Sequence, residues 1–237
     1  MISGGYRSQR ITTHEVRFNP AKRNRGGERD LDAIVMAAVH GIDRATLEYP
    51  VRAGIILMMD RGFHPDLNAA IVERAIRFRD RGVVAIDIGG APPEGVNSPD
   101  PSAYIEEMRQ VLALGVDRVG HGIITAMDPR LTEQVLEAGV ILELCPTSNV
   151  RTGAVRDEVQ MAEIVFGLES AGVPIVIATD GPEMIGTRLR SEYAMLVRLG
   201  AMSHEAARRA NDRGHAATFL SAPTVGPAAT ASAAGGS

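Results

Sequence analysis

Short apolar runs alternate with amphipathic helical patterns along most of the chain, and this alternation limits the fold more than any other feature. The runs are "HEVRF" (14–18), "GIILMM" (54–59), "VVAIDI" (83–88), "DRVGH" (117–121), "VILEL" (140–144) and "VPIVIA" (173–178). Most are bounded by Gly, Pro, Asp or Asn, as buried parallel strands are. Between them, "HPDLNAAIVERAIRFRDRG" puts Ile71, Ala75 and Phe78 on one helical face and stops at Gly82. "MDPRLTEQVLEAG" opens with Asp128 as N-cap and Pro129 in the first turn, and ends at Gly139. After Gly181 the pattern is mostly helical to about Phe219. Strand–helix repetition of this kind means an α/β fold with parallel strands. An open doubly wound sheet and an eight-stranded barrel both fit, and both gather chemistry at the C-terminal ends of strands. No G-x-G-x-x-G follows the first strand and no P-loop pattern occurs, which weighs against dinucleotide and nucleoside-triphosphate chemistry.

Composition narrows the function classes. The chain has 237 residues, 45% of them apolar, enough for a sizeable core. A net charge of -4 with no basic face argues against nucleic acid. No apolar run approaches the ~18 residues of a membrane span. Cys145 is the single cysteine, so no intrachain disulfide is possible and a reducing compartment suits the chain. The opening "MISGGYRSQR" lacks a hydrophobic signal core, so a cytoplasmic location is expected. Lys22 is the single lysine and thus the one candidate for Schiff-base chemistry; its expected state is a solvated ammonium. Residues 1–220 read as one domain and 221–237 as a low-complexity tail.

The ends of the expected strands carry polar residues. In order they are Arg17 and Asn19; Asp60 and His64; Asp87 with Gly89 and Gly90; His121; Glu143, Cys145, Ser148 and Asn149; and Asp180. Asp60 and Asn149 read as caps or turn formers. His121 lies between Gly120 and Gly122, and neither it nor Asp180 caps an obvious helix. A histidine and an aspartate at separate strand ends suit metal-assisted hydrolysis, in which a carboxylate holds the metal and an imidazole manages a water proton. Cys145 with His121 as its base is the alternative, though a lone Cys before Pro reads as structural.

"DRVGHG", "LCPTSNVRTGAV" and "ATDGPEM", in this order and spacing, resemble the adenosine deaminase family of metal-dependent amidohydrolases, and "EVRFNP" and "VVAIDIGG" resemble its earlier strands. The resemblance runs from about Thr13 to about Phe219. It implies a (β/α)8 barrel, one Zn2+, and hydrolytic deamination of a small-molecule aminopurine, nucleoside or base. It further implies that His121 orients or deprotonates the attacking water, that Asp180 ligates zinc, and that Gly90 offers its backbone N–H to the purine.

The chain departs from the family pattern in three places. It contains no His-x-His, the family's first strand and source of two zinc ligands. It contains no His-x-Gly-Glu strand, the source of a third histidine and of the acid that protonates the purine; a Pro-rich link and one helix join "IDIGG" to "DRVGHG" instead. Gly181 stands where the family has a second aspartate. One of the four expected zinc ligands remains, and His64 is the histidine best placed to reach the mouth. The expected architecture is therefore a partial TIM-type barrel with about six of eight parallel strands. Six strands cannot close an eight-strand barrel, so either the sheet stays open or a helix, the tail or a second copy covers the gap, and unpaired edges favour a homo-oligomer. Three readings stand: a hydrolase with a rebuilt metal site, an inactive relic that binds a purine or a protein, and a shortened, internally deleted form of an active deaminase.

Overall fold

All six expected strands form, each within two residues of the bounds read from the sequence. In the computed structural model, which describes residues 1–23, 29–90 and 101–220, they are β1 (Thr13–Phe18), β2 (Arg52–Asp60), β3 (Val83–Gly89), β4 (Arg118–Gly120), β5 (Ile141–Leu144) and β6 (Ile175–Ile177). Among the described residues ten helices surround them: α1 (Ile2–Gln9), α2 (Leu31–Glu48), α3 (Pro65–Arg77), α4 (Pro101–Ala113), α5 (Pro129–Ala138), α6 (Pro146–Arg151), α7 (Glu158–Ser170), α8 (Pro182–Ile185), α9 (Leu189–Arg198) and α10 (His204–Ala216). The low-complexity tail and most of the Pro-rich link lie outside the described residues. No helix among those residues is long and apolar enough to cross a membrane.

Local chemistry sets the helix ends. Asp128 Oδ1 accepts from the N–H groups of Arg130 and Leu131 at 2.8 and 3.2 Å, and Gly139 ends α5 at φ 66°. Ile71, Ala75 and Phe78 are buried together, as the helical spacing requires. The helix itself ends at Arg77, and a 3-10 turn over Arg79–Arg81 carries the chain to Gly82.

Every strand pair is parallel, but the strands form two sheets of three, ordered β1-β2-β3 and β4-β5-β6. Among the described residues no strand pairing joins β3 to β4 or β6 to β1. Taking the first and fifth members out of a ring of eight leaves this arrangement, and those are the positions of the two absent motif strands. The partial barrel is thus two half-barrels. Their cores are also separate: one cluster holds Leu131, Leu142, Met161, Val165, Ile175 and Leu196, and another holds Val35, Ile55, Leu57, Ile71 and Val83.

Charged side chains join the halves. Arg17 from β1 reaches Glu143 on β5 at 2.7 Å and Asp87 on β3 at 3.1 Å. Arg118 from β4 reaches Glu15 on β1 at 2.7 Å and Glu143 at 3.2 Å. Burial works against the Arg17 charge, but Glu143 and Asp87 outweigh it and hold the guanidinium above its ordinary value. The segment after α10 closes this interior. Thr218 Oγ1 and Phe219 N donate to Glu15 Oε1 at 2.9 and 2.6 Å, and Arg118 lies 4.0 Å over the Phe219 ring.

The β6 edge is capped by side chains where the ring is open. Arg213 Nη1 donates to the Ile175 carbonyl at 2.7 Å, and the Tyr193 hydroxyl bonds to the backbone of Ile177. Across the gap, Thr13 Oγ1 meets His215 Nδ1 at 3.0 Å. A cavity of about 390 Å³ remains there, lined in part by Thr13, Glu15, Ile177 and Tyr193.

Two stability tests follow. The Arg118 side chain is 9% exposed and faces two carboxylates, so Arg118→Met should cost about 3–5 kcal/mol in urea titrations. Arg44→Ala, which breaks an exposed pair with Glu48, should cost no more than about 0.5 kcal/mol. Equal costs would show that the network does not hold the halves together. His14, with its ring against Gly5 of α1 and Nε2 at 3.1 Å from the Ile11 carbonyl, is held by burial below its ordinary 6.5. Its protonation therefore favours the unfolded chain. The stability it contributes is full above pH 6.5 and falls as pH drops through that value toward the lower folded one. Tm should fall more steeply between pH 7 and pH 5 in the natural chain than in His14→Gln; parallel curves would refute this.

Candidate functional site

The two strand-end residues singled out by chemistry are also conformational outliers. Three non-glycine residues among those described have positive φ: Arg10, His121 at 62° and Asp180 at 57°. A left-handed backbone is unfavourable for an L side chain and persists where neighbours enforce it. The His121 N–H still donates to the Glu143 carbonyl at 2.9 Å, continuing the β4–β5 ladder. Gly122 repeats the left-handed turn at φ 62°, and a Cβ there would lie 2.9 Å from Leu142 Cδ2. Past β6, Ala178 N donates to the Leu144 carbonyl at 2.8 Å, and the chain turns at Asp180 into α8.

Adjacent residues of α6 hold both side chains. Ser148 Oγ donates to Asp180 Oδ2 at 2.9 Å. Asn149 Oδ1 stands 2.5 Å from His121 Nδ1. Ser148 and Asn149 are each 1% exposed, and their Cα atoms are about 3.8 Å apart by covalent geometry. The structure therefore ties His121 and Asp180 to one helical turn. Asn149 is not the cap or turn former its type suggests. Cys145 is the N-cap of α6, with no side-chain cap bond, and Asn149 lies inside the helix with its N–H on the Cys145 carbonyl at 2.9 Å.

Glu192, on α9, escaped the sequence reading. It is 1% exposed, accepts from Thr147 N at 2.9 Å and takes a hydrogen bond from the Thr187 hydroxyl. A carboxylate on the first N–H of α6 satisfies a donor that a helix start leaves open. It also fixes the helix that carries Ser148 and Asn149. A glutamate within an amphipathic helix gives no sign in sequence that it points inward.

Gly90 lies on the other half-barrel. Its φ is 100°, and a Cβ there would lie 2.6 Å from Asp60 Oδ1, so the position accepts glycine alone. Asp60 is the turn former expected of it, accepting from Gly62 N at 2.9 Å. It also binds Lys22, which lies 5.4 Å over the Phe63 ring. The Lys22 hydrogen bond, then the Gly62 N–H, hold the Asp60 carboxyl below its ordinary range. Lys22 is exposed, as expected, and its ammonium is paired with Asp60.

The remaining histidines do not join the pair. His64 is the N-cap of α3, exposed, with Nδ1 accepting from Asp66 N at 3.3 Å, so it does not reach the mouth. His40 and His204 are exposed residues of α2 and α10. His215, exposed on α10, meets Thr13. Among the described residues no group of three or more His, Cys, Asp or Glu side chains is placed to hold a metal ion. A catalytic zinc needs about three protein ligands, so the residues present do not fit that ion.

Cys145 is buried, with Sγ 3.6 Å from the Glu143 carbonyl. Burial first, then the charges of Asp180 and Glu143, push its thiol up to about 12. A thiol so held is no nucleophile near neutrality, and the structural reading of Cys145 is the better one. Iodoacetamide at pH 8 should leave Cys145 unmodified in the folded chain and alkylate it in denaturant. Native-state labelling at the rate of a free thiol would contradict this.

The family model for adenosine deaminase matches residues 6–110 and 101–225. The two stretches overlap over residues 101–110, within α4. The chain is 35% identical to an aminodeoxyfutalosine deaminase of Acidothermus cellulolyticus over 188 residues, 68% of this chain and 52% of that one. It is 30% identical to an adenosine deaminase of Enterococcus faecalis over 227 residues, 87% and 66% of the two. It thus spans about half to two thirds of the length of these curated relatives. An Arabidopsis N6-mAMP deaminase superimposes with a TM-score of 0.74 at 20% identity, over 89% of this chain and 69% of the other. That likeness shows the fold, an amidohydrolase barrel of which two runs of three strands are present. With the family model covering nearly all of the described residues in two overlapping stretches, the chain belongs to the adenosine deaminase family.

Proposed function

We propose that this chain carries part of the active site of an aminopurine deaminase, which replaces the exocyclic amino group of adenosine or a related aminopurine with oxygen from water. In this reading the His121 imidazole orients the attacking water or takes its proton, and the Gly90 N–H orients the purine ring. Asp180 is the one family metal ligand present. Support comes chiefly from one observation: buried neighbours on α6, Asn149 and Ser148, hold His121 and Asp180 within a chain of this family. The relatives named above are deaminases of adenosine and aminodeoxyfutalosine, which supports an aminopurine nucleoside as the substrate class. A Burkholderia ambifaria amidohydrolase of the same fold was solved with bound Zn, which supports zinc as the family's ion. One carboxylate is too few donors to hold it, so the chain by itself is read as a purine-binding, non-catalytic form.

The test combines elemental analysis, adenosine absorbance and calorimetric binding on the purified chain. Expected results are zinc well below one per chain after dialysis, no conversion of adenosine to inosine, and measurable aminopurine binding. Gly90→Ala should weaken that binding at least tenfold, because its Cβ collides with Asp60. Turnover that a chelator stops would mean that a complete metal centre exists and would overturn the non-catalytic reading. Failure to bind any aminopurine, with the chain folded, would overturn the assignment of the site.

A further inference from the structure

We infer that Asn149 is a positioning residue that fixes the tautomer of His121, keeping the ring proton on Nδ1 and leaving the Nε2 lone pair free. This rests on the reading of His121 as the group that manages the water proton, and it adds the device that makes such a role possible. A neutral imidazole carries one N–H, and only the other nitrogen can accept a proton. In water the Nε2–H form predominates, which would place the lone pair on Nδ1. A histidine whose Nε2 must serve as the base therefore needs an acceptor at Nδ1.

The orientation of the Asn149 amide follows from its far end. Its Nδ2 lies 3.6 Å from the sulfur of Met161, and Met161 is fully buried. A thioether has lone pairs and no proton, so it can only accept. The NH2 group therefore faces Met161, and Oδ1 faces His121 at 2.5 Å. A carbonyl oxygen also only accepts, so Nδ1 must carry the hydrogen. The flipped amide would set Oδ1 against the sulfur lone pairs in a site with 1% exposure, where such a mismatch is costly.

The backbone of Asn149 is held as firmly as its side chain. Its N–H donates to the Cys145 carbonyl at 2.9 Å, and its carbonyl accepts from Val155 N at 3.2 Å and from Thr152 Oγ1 at 3.4 Å. The His121 ring in turn leaves β4 through the left-handed backbone described above. A neutral amide sets the tautomer without placing a formal charge beside the ring, unlike a carboxylate in the same position.

The experiment needs neither substrate nor metal. The full chain is labelled with ring-15N histidine, and long-range 1H–15N correlations are recorded at pH 8.5. Six histidines are present, and the His121 signals are those lost in His121→Gln. The expected result is a pyrrole-like Nδ1 and a pyridine-like Nε2 at His121. Asn149→Asp, which keeps an acceptor, should retain this pattern. Asn149→Leu, which has no acceptor, should move most of the population to the Nε2–H form while the other five histidines stay unchanged. An Nε2–H ring in the natural chain, or an unchanged tautomer in Asn149→Leu, overturns the inference. If Asn149→Leu fails to fold, Met161→Leu replaces it as a volume-conserving core change. Removal of the sulfur acceptor should let the amide flip and populate both tautomers, and a single Nδ1–H form there would overturn the inference. Failure of aminopurine binding would leave the tautomer result standing and remove only its use in deamination, so the two readings fail separately.

Discussion

The ion pairs between Arg17, Arg118 and the carboxylates of Glu15, Asp87 and Glu143 are the constraint on which this molecule depends. Strands normally hold a barrel by continuous backbone ladders, and closure fixes tilt and stagger together. Here two ladders of three end without meeting. The cross-sheet pairs Arg17–Glu143 and Arg118–Glu15 join them in place of backbone bonds. Guanidinium groups suit this position, because a planar fork serves two carboxylates at fixed angles. Buried pairs are poor sources of net stability compared with apolar packing, so the join is specific in geometry and modest in strength. The stacked Phe219 ring and the Thr218–Phe219 contacts to Glu15 add apolar cover beneath it.

An open strand edge is a hazard because its N–H and C=O groups invite another strand. The chain meets this at β6 by side-chain substitution. Arg213 and Tyr193 reach the backbone groups of Ile175 and Ile177, and His215 reaches across to Thr13. Tyr193 is itself pushed up to about 12, by burial first, so it stays a neutral phenol in this role. At β3 the chain does less: Ile86 and Ile88 remain exposed on that edge strand.

The fold was legible because its signals are local. Apolar runs bounded by Gly, Asp or Pro gave all six strands, and Asp128, Pro129 and Gly139 gave both ends of α5. His121 and Asp180 were legible through their motifs, and their left-handed backbone agrees with that singling out. What local reading missed depends on contacts far apart in sequence. Asn149 reads as a turn former because its type favours turns; only the packing of α6 beside β4 turns its amide toward His121. Glu192 carries no motif, and its burial is set by its contacts with Thr147 and Thr187. The interior charges left a faint trace: Glu15 and Arg17 alternate with apolar residues in β1, so one face of that strand is charged. Period-two charge in a strand reads as a solvent face, and in a barrel with parallel strands that face can equally be the inside.

The division of the core has a chemical consequence. His121, Asp180 and their supports Ser148, Asn149 and Glu192 all belong to the β4–β6 half, which has its own apolar cluster. Gly90, Asp60 and Lys22 belong to the β1–β3 half, with a separate one. The proton-handling group and the proposed purine contact are therefore each well held, but they are held to each other by side-chain contacts: the arginine–carboxylate join, the Arg61–Glu107 pair, the Thr13–His215 bond and the Thr218–Phe219 contacts to Glu15. Catalysis is sensitive to placement at the level of about 1 Å, at which about 10²-fold in rate can be lost. A half-barrel can keep its own geometry while its partner shifts by more than that. In a closed ring each strand restrains the next, and such a shift would break backbone ladders. In this chain it would break no backbone ladder and would instead strain the side-chain contacts between the halves. Precision across the site thus rests on side-chain ion pairs and hydrogen bonds rather than on backbone ladders, even where each half of the site is rigid.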